Sequence, residues 1–279
     1  MKQRIITAVI AIAIFVPFLV FSRSVAFLAL ITFLSVCSAY ELLGCVGMRG
    51  RVSVCIPTYI LSVTAIVTTR YPEMDASDFF MKLFFQLFIY IIILFSIVVF
   101  SKGKIKFGDA AVMTIMMIYV LFGFASLVRL RDVENHGTFI FFLALIMPWV
   151  SDTFAYFCGR FFGRHKLIPE VSPKKTVEGA VGAVICTCLC SVAYGILCDR
   201  FFDVYVNYFI LAVMGLLISV IAQCGDLIAS VVKRTYGIKD YGILLPGHGG
   251  VLDRFDSTIA TTSVVYIFCL MFPFFGGNL

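Results

Sequence analysis

The chain has 279 residues, of which 61% are hydrophobic and only 14% carry a formal charge. Roughly 25% of the residues in soluble domains are charged, so this composition excludes a soluble domain and predicts an integral membrane protein. The formal net charge of +6 is assigned to one face of the protein, where it would attract anionic lipid headgroups. No nucleic acid is expected as a partner.

Apolar runs predict an all-α fold. A helix needs about 20 mostly apolar residues to cross a bilayer, and about nine such runs are present. Because the second and third runs are short, eight or ten spans are the alternatives. The first run is interpreted as a span, because no signal-peptide cleavage site follows it before Arg23. The predicted spans lie near residues 5–21, 25–40, 53–68, 84–101, 109–128, 138–157, 179–198, 208–225 and 257–275.

The placement of Lys and Arg predicts the orientation, because both residue types are enriched in cytoplasmic loops. With a cytoplasmic N-terminus, 16 of the 22 Lys and Arg residues lie on the cytoplasmic side. The transmembrane region 1–137 is expected to complete the bundle, with contacts to a second copy left open. Region 138–279 is predicted to be catalytic, with cytoplasmic loops 158–180 and 225–258 and a polar active-site cavity at its cytoplasmic side.

Asp152 lies late in the sixth run, in "LIMPWVSDTFAYF". An ionisable residue at membrane depth is costly and suggests a functional role by default. Tyr156 follows one turn later on the same side of the predicted helix. The helix is therefore expected to present a polar face toward the cytoplasm, although an ordinary helix-end Asp is the alternative.

The segment "SPKKTVEG", which begins at Ser172, predicts the start of a helix. Ser172 is expected to cap that helix, with Pro173 in its first turn. Lys174, Lys175 and Thr176 would then gather with free N–H groups at a positive helix end, which favours anions. The alternative is a basic loop that touches lipid phosphates.

The polar segment between the last two runs predicts a magnesium and polyphosphate site. Asp253 and Asp256 are three residues apart at the start of the last predicted helix, so their carboxylates share one face. Asp226 ends the preceding run and supplies a third carboxylate. Oxygen ligands hold Mg²⁺ while Lys and Arg neutralise phosphate. Between these carboxylates lie Lys233, Arg234, Lys239, Asp240, the glycine-rich "PGHGG" with His248, and Arg254.

These residues carry a family resemblance. The stretch "SVVKRTYGIKDYGILLPGHGGVLDRFD", from Ser230 to Asp256, resembles the signature of the phosphatidate cytidylyltransferase (CDP-diacylglycerol synthase) family. That signature runs Ser, Lys-Arg, Lys-Asp, Pro-x-His-Gly-Gly, Asp-Arg, Asp. "SDTFAYFCGRFFGRHKL" and "SPKKTVEG" are also similar to the family. The N-terminal half matches only as a series of spans.

The resemblance implies a nucleotidyltransferase that converts CTP and phosphatidate into CDP-diacylglycerol and pyrophosphate, an early step of phospholipid biosynthesis. It implies Mg²⁺ as a cofactor, with a second cation left open. It also implies an enzyme of the bacterial inner membrane whose active site faces the cytoplasm. A homodimer is an alternative to a monomer. Expected catalytic residues are Asp226, Lys239, Asp240, His248, Asp253 and Arg254; substrate-binding residues are Asp152, Ser172, Lys174, Lys175, Thr176, Lys233 and Arg234; metal ligands are Asp226, Asp253 and Asp256.

Two other functions are weighed against this one. A CTP-dependent polyprenol kinase would share the phosphate chemistry and the many spans, but the full pattern from Ser230 to Asp256 argues against it. A secondary transporter would use Asp152 and Asp226 for ion coupling. It predicts polar residues at mid-membrane and broken helices in paired positions, whereas the charge here collects at one face.

Overall fold

A computed structural model describes residues 16–70, 74–133, 136–244, 249–272 and 274–275. Helices dominate these residues, and the only named strands within them form one short antiparallel hairpin. The predicted all-α class is therefore confirmed. The helices are α1 (Val25–Cys45), α2 (Val52–Val67, extended by a 3-10 turn at Thr68–Arg70), α3 (Ala76–Phe100), α4 (Phe107–Arg131), α5 (Gly137–Phe162), α6 (Val177–Phe202), α7 (Tyr208–Thr235) and α8 (Leu252–Met271), and the strands are β1 (Lys166–Ile168) and β2 (Ser172–Thr176).

Seven of these helices, α1 to α7, are long and apolar enough to cross a membrane. They match the second to eighth predicted runs, which confirms an integral membrane protein. The ninth run, 257–275, is helical through most of its length, but α8 starts earlier with a charged turn. The first run, 5–21, lies largely outside the described residues. The count of nine spans and the cytoplasmic N-terminus stay predictions.

The chain divides into two compact units. The first contains Met1–Val128 and Thr235–Phe255, and the second contains Arg129–Arg234 and Asp256–Leu279. The polar segment before α8 groups with the N-terminal helices. The predicted division at 137/138, into a region that completes the bundle and a catalytic region, stays a prediction. Helix α8 begins in the first unit and continues in the second.

In the first unit, α1, α2 and α3 pack in chain order. Buried hydroxyls join them: Ser35 Oγ of α1 donates to the Ser62 carbonyl of α2 at 3.1 Å, and Thr58 Oγ1 of α2 lies 3.1 Å from Tyr90 Oη of α3. Polar groups inside a membrane bundle need such partners, because hydrocarbon offers none. These contacts fix the depth at which the three helices meet.

In the second unit, α5 and α6 pack closely. Gly179 of α6 permits the approach, because a Cβ there would lie 2.6 Å from the Ala155 carbonyl oxygen of α5. Small residues at such crossings are typical of membrane helices. Helix α7 joins α5 through the buried hydroxyls of Ser151 and Ser219, whose oxygens lie 2.7 Å apart.

Candidate active site

The segment predicted to start a helix at Ser172 forms strand β2, and α6 begins only at Val177. The cap is Thr176, whose Oγ1 accepts a hydrogen bond from the Gly179 N–H at 3.2 Å. The prediction of Ser172 as the cap was therefore wrong. The physical reason is that residues 172–176 pair with β1 in an antiparallel hairpin, which keeps them extended, while Thr176 supplies a capping oxygen four residues later.

Strand geometry separates the two adjacent lysines of β2, because successive side chains of a strand point to opposite faces. Lys174 is exposed. Lys175 is partly buried, and its Nζ lies 2.6 Å from Asp226 Oδ2 of α7, in an ion contact rather than an aligned hydrogen bond. Lys175 thus joins the predicted carboxylate site, whereas Lys174 forms no ion pair with any residue in the described ranges.

Two further carboxylates meet at Ser257 of α8. The Ser257 hydroxyl donates to Asp152 Oδ2 of α5 at 3.2 Å and lies 3.4 Å from Asp256 Oδ1. Asp256 is only 9% exposed. Burial, and next the nearby Asp226 carboxylate, raises the pKa of Asp256, while the buried Lys233 ammonium opposes the shift. Burial and the neighbouring carboxylate therefore make the charged form of Asp256 costly, and a cation bound beside it would stabilise that form.

The second unit thus holds a group of acidic and basic side chains that the sequence predicted to act together. We call it the charged cluster. The charged cluster consists of Asp152, Lys175, Asp226, Lys233 and Asp256. One turn before Asp226 on α7, Gln223 donates to the Ala180 carbonyl of α6 at 3.3 Å and to Ser219 Oγ at 3.3 Å. These bonds hold α7 against α6.

The charged cluster offers oxygen ligands of the kind that Mg²⁺ prefers. Within the described ranges, no group of three or more His, Cys, Asp or Glu side chains could hold a metal ion. Mg²⁺ is usually bound by one or two carboxylates together with substrate phosphates rather than by a full protein cage. The donor set therefore fits a magnesium ion that arrives with a phosphate ligand, and Mg²⁺ itself stays a prediction.

Asp253, the remaining predicted metal ligand, lies in the first unit. Its Oδ2 accepts hydrogen bonds from the N–H groups of Tyr241 at 2.8 Å and Gly250 at 2.9 Å. Asp253 therefore joins Tyr241 to Gly250 in the segment between α7 and α8, which we call the α7–α8 loop and of which residues 236–244 and 249–251 are described. Its role as a metal ligand stays a prediction.

Glu41 of α1 contacts the same loop, and the sequence reasoning missed it. Its carboxylate is buried, with Oε1 accepting from the Val251 N–H at 2.8 Å and Oε2 from the Leu252 N–H at 2.9 Å. A signal was present in the sequence, because Glu41 directly follows the predicted run 25–40 and is itself followed by the apolar Leu42 and Leu43. An ionisable residue beside a membrane span is costly, as at Asp152, and suggests a role for Glu41 as well.

The other predicted site residues have less defined surroundings. Arg234, Lys239, Asp240 and Arg254 are exposed, and Ser172 is partly exposed in β2. His248 lies outside the described residues. Thr176 uses its hydroxyl oxygen for the helix cap. The substrate or catalytic roles assigned to these residues stay predictions, as does a polar active-site cavity.

Comparison with known proteins covers nearly the whole chain, since the model of the Cytidylyltransferase family matches residues 2–272. The chain belongs to this family. It is 37% identical over 266 residues to the phosphatidate cytidylyltransferase of Staphylococcus saprophyticus, covering 92% of this chain and 94% of that protein. It is 33% identical over 275 residues to the phosphatidate cytidylyltransferase of Bacillus subtilis, covering 98% of each. The family resemblance of the C-terminal motifs is confirmed and extends to the N-terminal half.

Proposed function

We propose that this chain is a phosphatidate cytidylyltransferase, which transfers the cytidylyl group of CTP to phosphatidate and releases pyrophosphate. The observation that carries the proposal is that relatives aligned over 92% or more of the chain bear this name. The charged cluster supports it independently, because fixed cations beside carboxylates suit the handling of a nucleoside triphosphate.

The reaction needs no strong general base. A phosphate monoester has a second pKa of about 6, by analogy with phosphoserine, so the phosphatidate headgroup is already largely ionised near neutral pH. One of its oxygens forms a bond to the α-phosphorus of CTP. The bond between the α-phosphorus and the bridging oxygen breaks, and its electron pair leaves with pyrophosphate. The main barrier is repulsion between the two anions.

The charged cluster is suited to lower this repulsion. Lys175 and Lys233 supply fixed positive charge, which is worth more in a partly buried site than in water. Asp226 and Asp256 are the carboxylates proposed to hold Mg²⁺ together with CTP phosphate oxygens, and that ion would neutralise charge on the pyrophosphate as it leaves. Asp152 is held by Ser257. A second cation is left open.

We place the active site at the cytoplasmic face of a bacterial inner membrane, where a lipid headgroup and a soluble nucleotide can meet. Three features support this placement: the seven candidate spans, the predicted excess of Lys and Arg on one side, and the bacterial relatives. A homodimer stays an untested alternative to a monomer.

The proposal is tested with purified protein supplied with each of the four ribonucleoside triphosphates, with and without phosphatidate. We expect pyrophosphate release only with CTP and phosphatidate together, matched by an equal amount of CDP-diacylglycerol. A CTP-dependent polyprenol kinase and a transporter would both form no CDP-diacylglycerol from these substrates, and that result would refute the proposal.

A further inference from the structure

We infer that Glu41 is a positioning residue of the cytidylyltransferase reaction, which it serves by fixing the α7–α8 loop and the first turn of α8. This inference rests on the proposed function. Glu41 is 3% exposed, and each of its two carboxylate oxygens accepts one N–H, from Val251 and Leu252. With both oxygens engaged by the backbone, Glu41 acts through the loop rather than on substrate.

Two glycines of the α7–α8 loop enclose this carboxylate. A Cβ at Gly242 would lie 2.6 Å from Glu41 Oε1, and a Cβ at Gly250 would collide with both carboxylate oxygens. Neither glycine has a positive φ, so the requirement is steric rather than conformational. The loop backbone therefore closes around Glu41, and the fit leaves no room for side chains at these two positions.

Glu41 and Asp253 together satisfy three consecutive amides where the chain enters α8, the last of which belongs to the first residue of the helix. Asp253 accepts from Gly250, and Glu41 accepts from Val251 and Leu252. The first N–H groups of a helix have no partner within the helix, and anionic groups are favourable at that end. These two carboxylates thus determine where α8 begins, and with it the register of the residues that follow.

The register of α8 matters for the reaction because Asp253 and Asp256 both belong to this helix. Catalytic groups must be held to within a fraction of an ångström, and a misplacement of about 1 Å can cost about 100-fold in rate. Glu41→Gln keeps the size of the side chain but turns a donor toward one of the two amides. That amide then lacks an acceptor in a buried place, which is costly.

The test compares Glu41→Gln with Ser35→Ala in purified full-length protein. Ser35 is the matched control, because it is buried in the same helix and its hydroxyl donates to the Ser62 carbonyl of α2, away from the α7–α8 loop. We expect Glu41→Gln to lower kcat by between about 10-fold and about 100-fold, with smaller changes in the KM values for CTP and phosphatidate. Ser35→Ala should keep kcat near that of the unaltered protein. Equal kcat losses in the two variants would contradict a positioning role.

Hydrogen exchange supplies a readout that does not need activity. In Glu41→Gln the amides of Val251 and Leu252 should exchange faster than in Ser35→Ala, because Glu41 is their acceptor and the change weakens it. If the unaltered protein makes no CDP-diacylglycerol, the proposed function fails while exchange still tests the contact. Unchanged exchange at these amides, with unchanged kcat, would overturn the inference.

A double-mutant cycle tests the enclosure of Glu41. Gly242→Ala should lower kcat in the unaltered background, where its Cβ meets Glu41, but should cost nothing further in Glu41→Ala, where the space is open. Residues that act through one contact give such non-additive effects. Additive losses from Gly242→Ala and Glu41→Ala would show that the two act separately and would refute the inferred mechanism.

Discussion

At the residue scale, the structure separates two adjacent lysines that the sequence treated as one pair. Lys175 reaches Asp226, whereas Lys174 is exposed. We expect Lys175→Ala to lower kcat/KM for CTP by about 100-fold, as for removal of one charge-stabilising donor in a partly buried site. Lys174→Ala should lower it by no more than about fivefold, since exposed charges contribute about 1 kcal/mol or less.

The measurement is the initial rate of CDP-diacylglycerol formation as CTP is varied at fixed phosphatidate. Each lysine variant is the control for the other, because the two changes are identical in kind and adjacent in sequence. Equal losses in the two variants would mean that the geometry of β2 does not decide how these lysines act.

Asp256 gives the second prediction at this scale. Asp256→Asn keeps the shape of the side chain and the oxygen that accepts from the Ser257 N–H, but removes a negative charge from the charged cluster. We expect kcat to fall by about 100-fold or more and the Mg²⁺ concentration for half-maximal rate to rise. Rates measured across a magnesium titration check both effects.

Asp203→Asn is the matched control for this change. Asp203 is exposed at the end of α6 with a φ of 53°, a conformation that Asn also tolerates. Its rate and magnesium dependence should stay unchanged. If Asp256→Asn behaved like Asp203→Asn, Asp256 would have no part in binding the metal.

At the element scale, the crossing of α5 and α6 determines where β2 and its lysines are held. Gly179→Ala would place a Cβ 2.6 Å from the Ala155 carbonyl oxygen, and such overpacking costs about 1–3 kcal/mol. The melting temperature in detergent should therefore fall. Gly108→Ala in α4 is the control, because nothing lies within 4 Å of its added Cβ. Equal melting temperatures for the two variants would contradict this close packing.

The sequence predicted the helices well and their polar ends less well. Apolar runs are long and continuous, so the described helices match eight of the nine predicted runs. Helix α7 continues to Thr235, beyond the predicted end at residue 225, because a hydropathy run stops at its first charges while the helix does not. The hairpin before α6 was missed because Ser172 and Thr176 are both acceptable caps, and strand pairing decided between them.

At the scale of the whole molecule, the grouping of residues 235–255 with the N-terminal helices could not be predicted. The contact of Glu41 with Val251 and Leu252 joins residues 210 or more positions apart in the chain, and no local pattern encodes such a pairing. Members of the charged cluster were singled out from the sequence, because Lys233 and Asp256 belong to the signature from Ser230 to Asp256 and Asp226 ends the apolar run before it. The N-terminal half, expected only to complete the bundle, also supports the α7–α8 loop.

The predicted orientation gives a test at this scale. Ser77 is exposed at the start of α3, and Glu170 is exposed in the turn between β1 and β2. Each is changed to cysteine in a separate variant, Ser77→Cys and Glu170→Cys. In intact cells a membrane-impermeant maleimide should label Ser77→Cys above the background of the unaltered chain. It should label Glu170→Cys only after the cells are opened, because the placement of Lys and Arg predicts that the loop 158–180 is cytoplasmic. Labelling of both positions in intact cells would exclude the predicted topology.

In the proposed reaction the chain transfers a cytidylyl group to a phosphate-bearing lipid. The most direct measurement supplies phosphatidate with CTP that carries radioactive phosphorus at either the α or the γ position, and follows the label into the lipid. We predict that the α label appears in the lipid fraction while the γ label is recovered in pyrophosphate. Transfer of the γ label to lipid, with no transfer of the α label, would show a kinase and contradict this account.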